Sequence, residues 1–175
     1  MGLYNDVFLP RAIDRMCGSA GFDKIRDRLL GPAHGEVLEI GFGSGTNLSH
    51  YPSSVTGVFA VEPAPKMREL AGKRIRQRAL PVTFVELSGS EIVADAGSCD
   101  TAVSTFTLCT VEDPAATLSE IRRVLRPGGT LLIAEHGRAP ETAMATSQRL
   151  LEPIQRRLAG GCHLTREPLE LLQAT

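Results

Sequence analysis

The 175-residue sequence is short of the features that would place it in a special class. Net charge is nearly absent: 19 Lys and Arg face 20 Asp and Glu, so nucleic acid and acidic membrane surfaces are not expected partners. No apolar run approaches the roughly 18–20 residues that cross a bilayer, and no transmembrane segment is expected. The opening MGLYNDVFLPRAIDRMCGSAG alternates charged and apolar residues, unlike a signal peptide. Asp6 stands where a myristoylation signal needs Ser or Thr. The four cysteines, Cys17, Cys99, Cys109 and Cys162, form no CxxC pair, so no metal is expected, and a reduced, cytoplasmic setting is. Repeats, low-complexity segments and linkers are also missing.

What is present is an alternation of strand and helix patterns. Residues 3–30 predict two helices broken at Gly18 and Gly21. Strands are expected at 36–40, 55–61, 81–87, 100–105 and 129–135. Helices are expected over about 45–50, 65–79, 113–125 and 141–158, the last kinked or interrupted at Pro153. Arg126-Pro127-Gly128-Gly129 reads as a stop and turn. Such alternation predicts an α/β fold, a Rossmann-like doubly wound, mainly parallel sheet of about five strands with N-terminal helices.

Ligands of such sheets bind at the carboxyl ends of the strands. Gly41, Gly43 and Gly45 follow the first strand in 37-VLEIGFGSGTNLSHY-51. A dinucleotide fingerprint is spaced GxGxxG and receives a pyrophosphate, whereas this spacing is GxGxG and Glu39 precedes it. An acid so placed repels a pyrophosphate and suits a cationic ligand. No Gly-Lys-Ser/Thr follows, which excludes a P-loop. Glu62 ends the second strand, where an acid accepts hydrogen bonds from a ribose diol. Together these residues suit a nucleoside that carries positive charge and no diphosphate.

EIGFGSG, then VEP, then LSEIRRVLRPGGTLLIAEH resemble the class I S-adenosylmethionine-dependent methyltransferases, over about residues 35–137. YNDVFLPRAID and LLEPIQRRLAGGCHLTRE are similar to the group of methyltransferase-like thiol methyltransferases and their bacterial relatives. The resemblance implies S-adenosylmethionine as cofactor, S-adenosylhomocysteine as product, and a small-molecule acceptor that is a thiol, lipid-like or quinone-like. It implies that Glu39 and the backbone of Ile40, Gly41, Phe42, Gly43, Ser44 and Gly45, with Asn47 beyond, hold the methionine part. Glu62 would bind the ribose hydroxyls, with Pro63 and Met67 flanking the adenine. Ser90, Glu91 and Ile92 would meet the adenine edge, although the family often has an Asp and a small residue there. Thr105, Phe106 and Thr107 would lie beside the sulfonium and the acceptor.

The same residues have plainer readings. GxGxG alone is as compatible with a tight turn as with a cofactor site; Glu39, Glu62 and the Pro-Gly-Gly in register decide for the cofactor. Phe106 alone reads as core, Cys109 as a small buried residue, and 73-KRIRQR-78 as the wet end of a helix. Methyl transfer needs a base only where the acceptor must lose a proton. Glu135, His136 and Tyr4 are the candidates, with supporting structure the stronger reading for the first two.

The expected organisation is an N-terminal helical cap at 1–34, the cofactor-binding core at 35–137 and a C-terminal helical extension at 138–175. The family sheet normally adds a final antiparallel strand pair, for which the residues before Thr175 leave no room. The fifth strand would then be an edge that offers pairing to a second copy. Two other functions compete: a shortened, weak or inactive member that binds cofactor or a partner, and an NAD-dependent oxidoreductase, against which GxGxG and Glu39 speak.

Overall fold

The computed structural model describes residues 4–88 and 91–174. Five strands form one parallel sheet: β1 (Gly35–Ile40), β2 (Val55–Val61), β3 (Val82–Val85), β6 (Cys99–Thr105) and β7 (Leu125–Ala134), in the spatial order β3-β2-β1-β6-β7. The expected α/β doubly wound sheet is therefore present. The chain runs outward from β1 to β3 and then returns to the other side of β1. That reversal makes the gap between β1 and β6 the topological switch point.

Alternation along β1 assigns its side chains to two cores. Val37 packs on one face with Leu30, Phe42, Leu48 and Ala71, from the side of α2 (Ala20–Leu30) and α3 (Pro65–Gln77). Leu38 and Ile40 pack on the other with Leu118, Ile121 and Val124 of α4 (Pro114–Val124). Each of these α4 side chains contributes about 1.5–3 kcal/mol on burial. Glu39 shares the face of Val37 and is 1% exposed. The period-two rule thus drives an acid into the core on the α2 side.

Several boundaries differ from the sequence reading. The first helix is preceded by a π-helical turn (Tyr4–Phe8) before α1 (Leu9–Cys17). The segment after the glycines is a short 3₁₀ helix, Thr46–His50. The third strand stops at Val85, and Leu87–Ser88 (β4) pairs antiparallel with Glu91–Ile92 (β5), a feature too short to carry a periodic signal. The expected turn at Arg126–Gly129 lies within β7, which starts directly after α4 and absorbs the extra residues as an irregularity opposite Cys99 and Thr101. α5 (Thr142–Leu158) runs through Pro153 without a break, and α6 (Pro168–Ala174) follows. Among the described residues no helix is long and apolar enough to cross a membrane.

Candidate functional site

The carboxyl ends of β1, β2 and β6 open into two cavities of about 580 and 180 Å³ that share Gly41, Glu62, Thr107 and Thr110. The larger lies within the range of small-molecule pockets. Glycine is required at the mouth. Gly41 has φ +69°, and a Cβ there would stand 2.1 Å from Thr107 Oγ1. Phe106, at the end of β6, also has positive φ (54°), a costly conformation for a bulky residue. Its ring packs edge-on against Phe22 of α2 at 5.0 Å and lines the smaller cavity.

The smaller cavity is polar at its closed end. Glu39 Oε1 accepts from Asn47 Nδ2 at 2.9 Å, and Oε2 accepts from Tyr51 Oη at 2.7 Å. Burial pushes the Glu39 carboxyl up to about 8, against the lowering pull of those two hydrogen bonds and of Arg26. Arg26 is 2% exposed and donates to Asn47 Oδ1 at 2.9 Å and to the Cys17 carbonyl at 2.7 Å. A buried acid and a buried guanidinium therefore line one small space. α1 walls it with Ile13, Asp14 and Cys17; Asp14 accepts from Ser44 Oγ at 2.6 Å and pairs with Arg74 at 2.8 Å.

Glu62 stands between the two cavities. Its Oε2 accepts from Gly43 N and its Oε1 from Ala64 N, both at 2.8 Å. Burial raises its pKa, and the two backbone hydrogen bonds oppose that rise. A carboxylate has about four acceptor positions, so these two bonds orient it and leave acceptor capacity for a ligand.

Sequence and fold place the chain among known proteins. A methyltransferase domain model matches residues 38–133. The chain is 36% identical over 151 residues to thiol S-methyltransferase TMT1B of Rattus norvegicus, covering 83% of this chain and 61% of that protein. It is 39% identical over 136 residues to thiol S-methyltransferase TMT1B of Homo sapiens, covering 75% of this chain and 55% of that one. The chain belongs to the methyltransferase domain family. Among solved structures, the YcgJ protein of Bacillus subtilis matches its fold with a TM-score of 0.70 at 17% identity, over 86% of this chain and 65% of that one. The chain spans less than two thirds of the length of these curated relatives.

Within this methyltransferase domain, most of the cofactor residues expected from the sequence share the cleft. Glu39, Gly41, Phe42, Gly43, Ser44, Glu62, Met67, Thr105, Phe106 and Thr107 line the smaller cavity. Ile40, Pro63 and Ile92 line the larger. Asn47 sits behind Glu39, and Gly45 (φ +77°) starts the 3₁₀ turn. Glu91 lines a separate depression beside Val93 and Asp95. Ser90 lies outside the described residues.

The three base candidates have other partners. Glu135 Oε1 accepts from Ser104 Oγ at 3.0 Å and from Thr107 N and Leu108 N at 2.8 Å, bracing the loop after β6. Burial raises the Glu135 pKa, and its Oε2 is buried without a partner among the described residues. His136 Nε2 lies 3.2 Å from Cys162 Sγ, and Tyr4 Oη donates to the Leu158 carbonyl at 2.7 Å. Arg26 was not anticipated. Its signal was there: it stands four residues after Phe22 and four before Leu30, a charge on the buried stripe of α2.

The residues of the cleft fit S-adenosylmethionine, the cofactor implied by the sequence motifs. Glu39 and Arg26 complement an amino acid's ammonium and carboxylate, and Glu62 is placed for a diol. A dinucleotide's pyrophosphate would meet both acids.

Proposed function

We propose that this chain transfers a methyl group from S-adenosylmethionine to a small thiol. The observation that carries the reading is the charge order along the cleft: Glu39 with Arg26 at the closed end, Glu62 in the middle, and the larger cavity beyond. The thiol as acceptor is supported by the printed activity of relatives 36–39% identical to the chain.

S-adenosylmethionine supplies a methyl carbon already activated by a cationic sulfur. The chain has only to bind, align and exclude water. Glu39 and Arg26 hold the amino acid end, and Glu62 accepts from the ribose hydroxyls. α1 and Phe106 close the site from water. Thr105 and Thr107 present the end of β6 to the reacting centre. The acceptor reacts as a thiolate, of which a free thiol with pKa near 8.5 supplies a modest fraction at neutral pH. Glu135 serves as a brace, since its Oε1 already takes three donors.

The test is methyl transfer from labelled S-adenosylmethionine to a panel of small thiols, with matching alcohols, quinols and amines. Label in thioethers alone is the expected result. Label in a quinol or a lipid amine would replace the acceptor class. Cofactor binding without any transfer would leave the chain a binding protein. Among the described residues β7 pairs on one side only, which supports a homodimer through that edge, and a monomer by light scattering would overturn that assembly.

A further inference from the structure

Three soft donors converge outside the cleft, and the proposed methyl transfer uses none of them. Cys109 lies in the loop after β6, His136 follows the end of β7, and Cys162 lies in the turn after α5. Their donor atoms all lie within 4.8 Å of one another. Cys109 and Cys162 are 3% and 8% exposed. Cys109 Sγ and Cys162 Sγ stand 3.8 Å apart, and His136 Nε2 stands 3.2 Å from Cys162 Sγ.

We infer that Cys109, His136 and Cys162 bind one zinc-class divalent ion, which clamps the C-terminal segment onto the loop after β6. Tetrahedral zinc with thiolate bonds of about 2.3 Å separates two sulfurs by about 3.8 Å, and a thiolate from an imidazole nitrogen by about 3.6 Å. The sulfur pair already has that spacing; the imidazole has to open from Cys162 by a few tenths of an ångström and lies within 4.8 Å of Cys109, a reach that a rotation of the His136 ring about its side-chain bonds covers. Two cysteines and one histidine leave a fourth position for water. Binding releases the two thiol protons.

The fold gives such an ion a task. No residue of α5 is fully buried, so that helix is poorly anchored by packing. The turn between α5 and α6 is held by polar contacts, and Leu171 and Leu172 of α6 pack on the core. His163 N donates to the Cys109 carbonyl at 2.8 Å, and Arg166 donates to the carbonyls of Leu108 and of Val111, the latter at 2.6 Å. Thr110, beside Cys109, and Gly160, two residues before Cys162, both line the larger cavity. An ion joining the two cysteines fixes both walls of that cavity. No CxxC pair announces the site, because each donor comes from a different segment of the chain.

The test uses the reduced full chain, stripped of metal and titrated with Co²⁺ and then Zn²⁺. Expected are one equivalent bound, a thiolate-to-cobalt charge-transfer band bleached by Zn²⁺, and a rise in melting temperature. X-ray absorption on the zinc-loaded wild type should give two sulfur neighbours and one imidazole. Cys109→Ser and Cys162→Ser should each lose most of the band, while Cys17→Ser keeps it. Absence of the band in wild type, or its persistence in both cysteine variants, overturns the site. A disulfide between Cys109 and Cys162 in protein purified without reductant, with no metal uptake after reduction, also overturns it. S-adenosylhomocysteine binding measured on the same samples separates this outcome from failure of the cofactor site.

Discussion

Arg26 and Glu39 are joined across the closed end of the cleft by one side chain: Asn47 accepts from Arg26 Nε and donates to Glu39 Oε1, each at 2.9 Å. The arrangement holds a buried cation and a buried acid apart while keeping both hydrogen-bonded. It matches a zwitterion, which brings one charge for each.

The first consequence concerns that pair. Glu39→Gln and Arg26→Met should each weaken S-adenosylhomocysteine binding by about 10–100-fold, the worth of a hydrogen bond to a charged group. Neither should change the affinity for adenosine, which lacks the amino acid end. Glu62→Gln should weaken both ligands. Calorimetric titration of the three variants with the two ligands checks the pattern. Equal losses for both ligands in Glu39→Gln would contradict it.

A second consequence is a pH dependence. The folded Glu39 pKa of about 8 is raised above its ordinary value of 4.5. Its ionisation therefore costs stability, and this cost grows as pH rises from about 4.5 to about 8. A cationic ligand favours the ionised form, so binding expels the proton below pH 8. S-adenosylhomocysteine affinity should rise with pH by up to about tenfold per unit and level off near 8. Titrations in two buffers of different ionisation enthalpy should detect the released proton at pH 6.5. Glu39→Gln should abolish that release.

The third concerns Gly41. An alanine there would take an unfavourable φ and place its Cβ 2.1 Å from Thr107 Oγ1. Gly41→Ala should cost about 1–3 kcal/mol and remove cofactor binding. Denaturant unfolding with calorimetry checks both. A stable variant with intact affinity would mean that the turn can yield.

The fourth separates brace from base at Glu135. Glu135→Ala strips one oxygen from Ser104, Thr107 and Leu108 together. It should destabilise the fold by about 2–4 kcal/mol. Glu135→Gln keeps an acceptor there and should retain methyl transfer to a thiol within about tenfold. Abolished transfer in a folded, cofactor-binding Glu135→Gln would make it the base.

Much of the site was legible because its signals are local. Gly41, Gly43 and Glu62 follow strands whose apolar runs stand out, and their place in the cleft follows from that position. Glu39 was legible as an acid near a cation, but not as a buried one. Its depth comes from sharing the face of Val37, which only the sheet register decides. Arg26 carried a local signal, a charge on the apolar stripe of α2, but the cluster of Cys109, His136 and Cys162 was hidden for a related reason. Their partners lie far along the chain, and spacing rules read neighbours. The small β4–β5 pair and the bulge in β7 escaped because two-residue strands and irregular pairing carry no period.

The most direct measurement is calorimetric titration of the wild-type chain with S-adenosylhomocysteine, with NAD as the control. Saturable one-to-one binding of S-adenosylhomocysteine, weakened in Glu62→Gln, together with no heat from NAD, is the expected result. No binding of S-adenosylhomocysteine by a folded chain, or tighter binding of NAD, would contradict the assignment of the cleft.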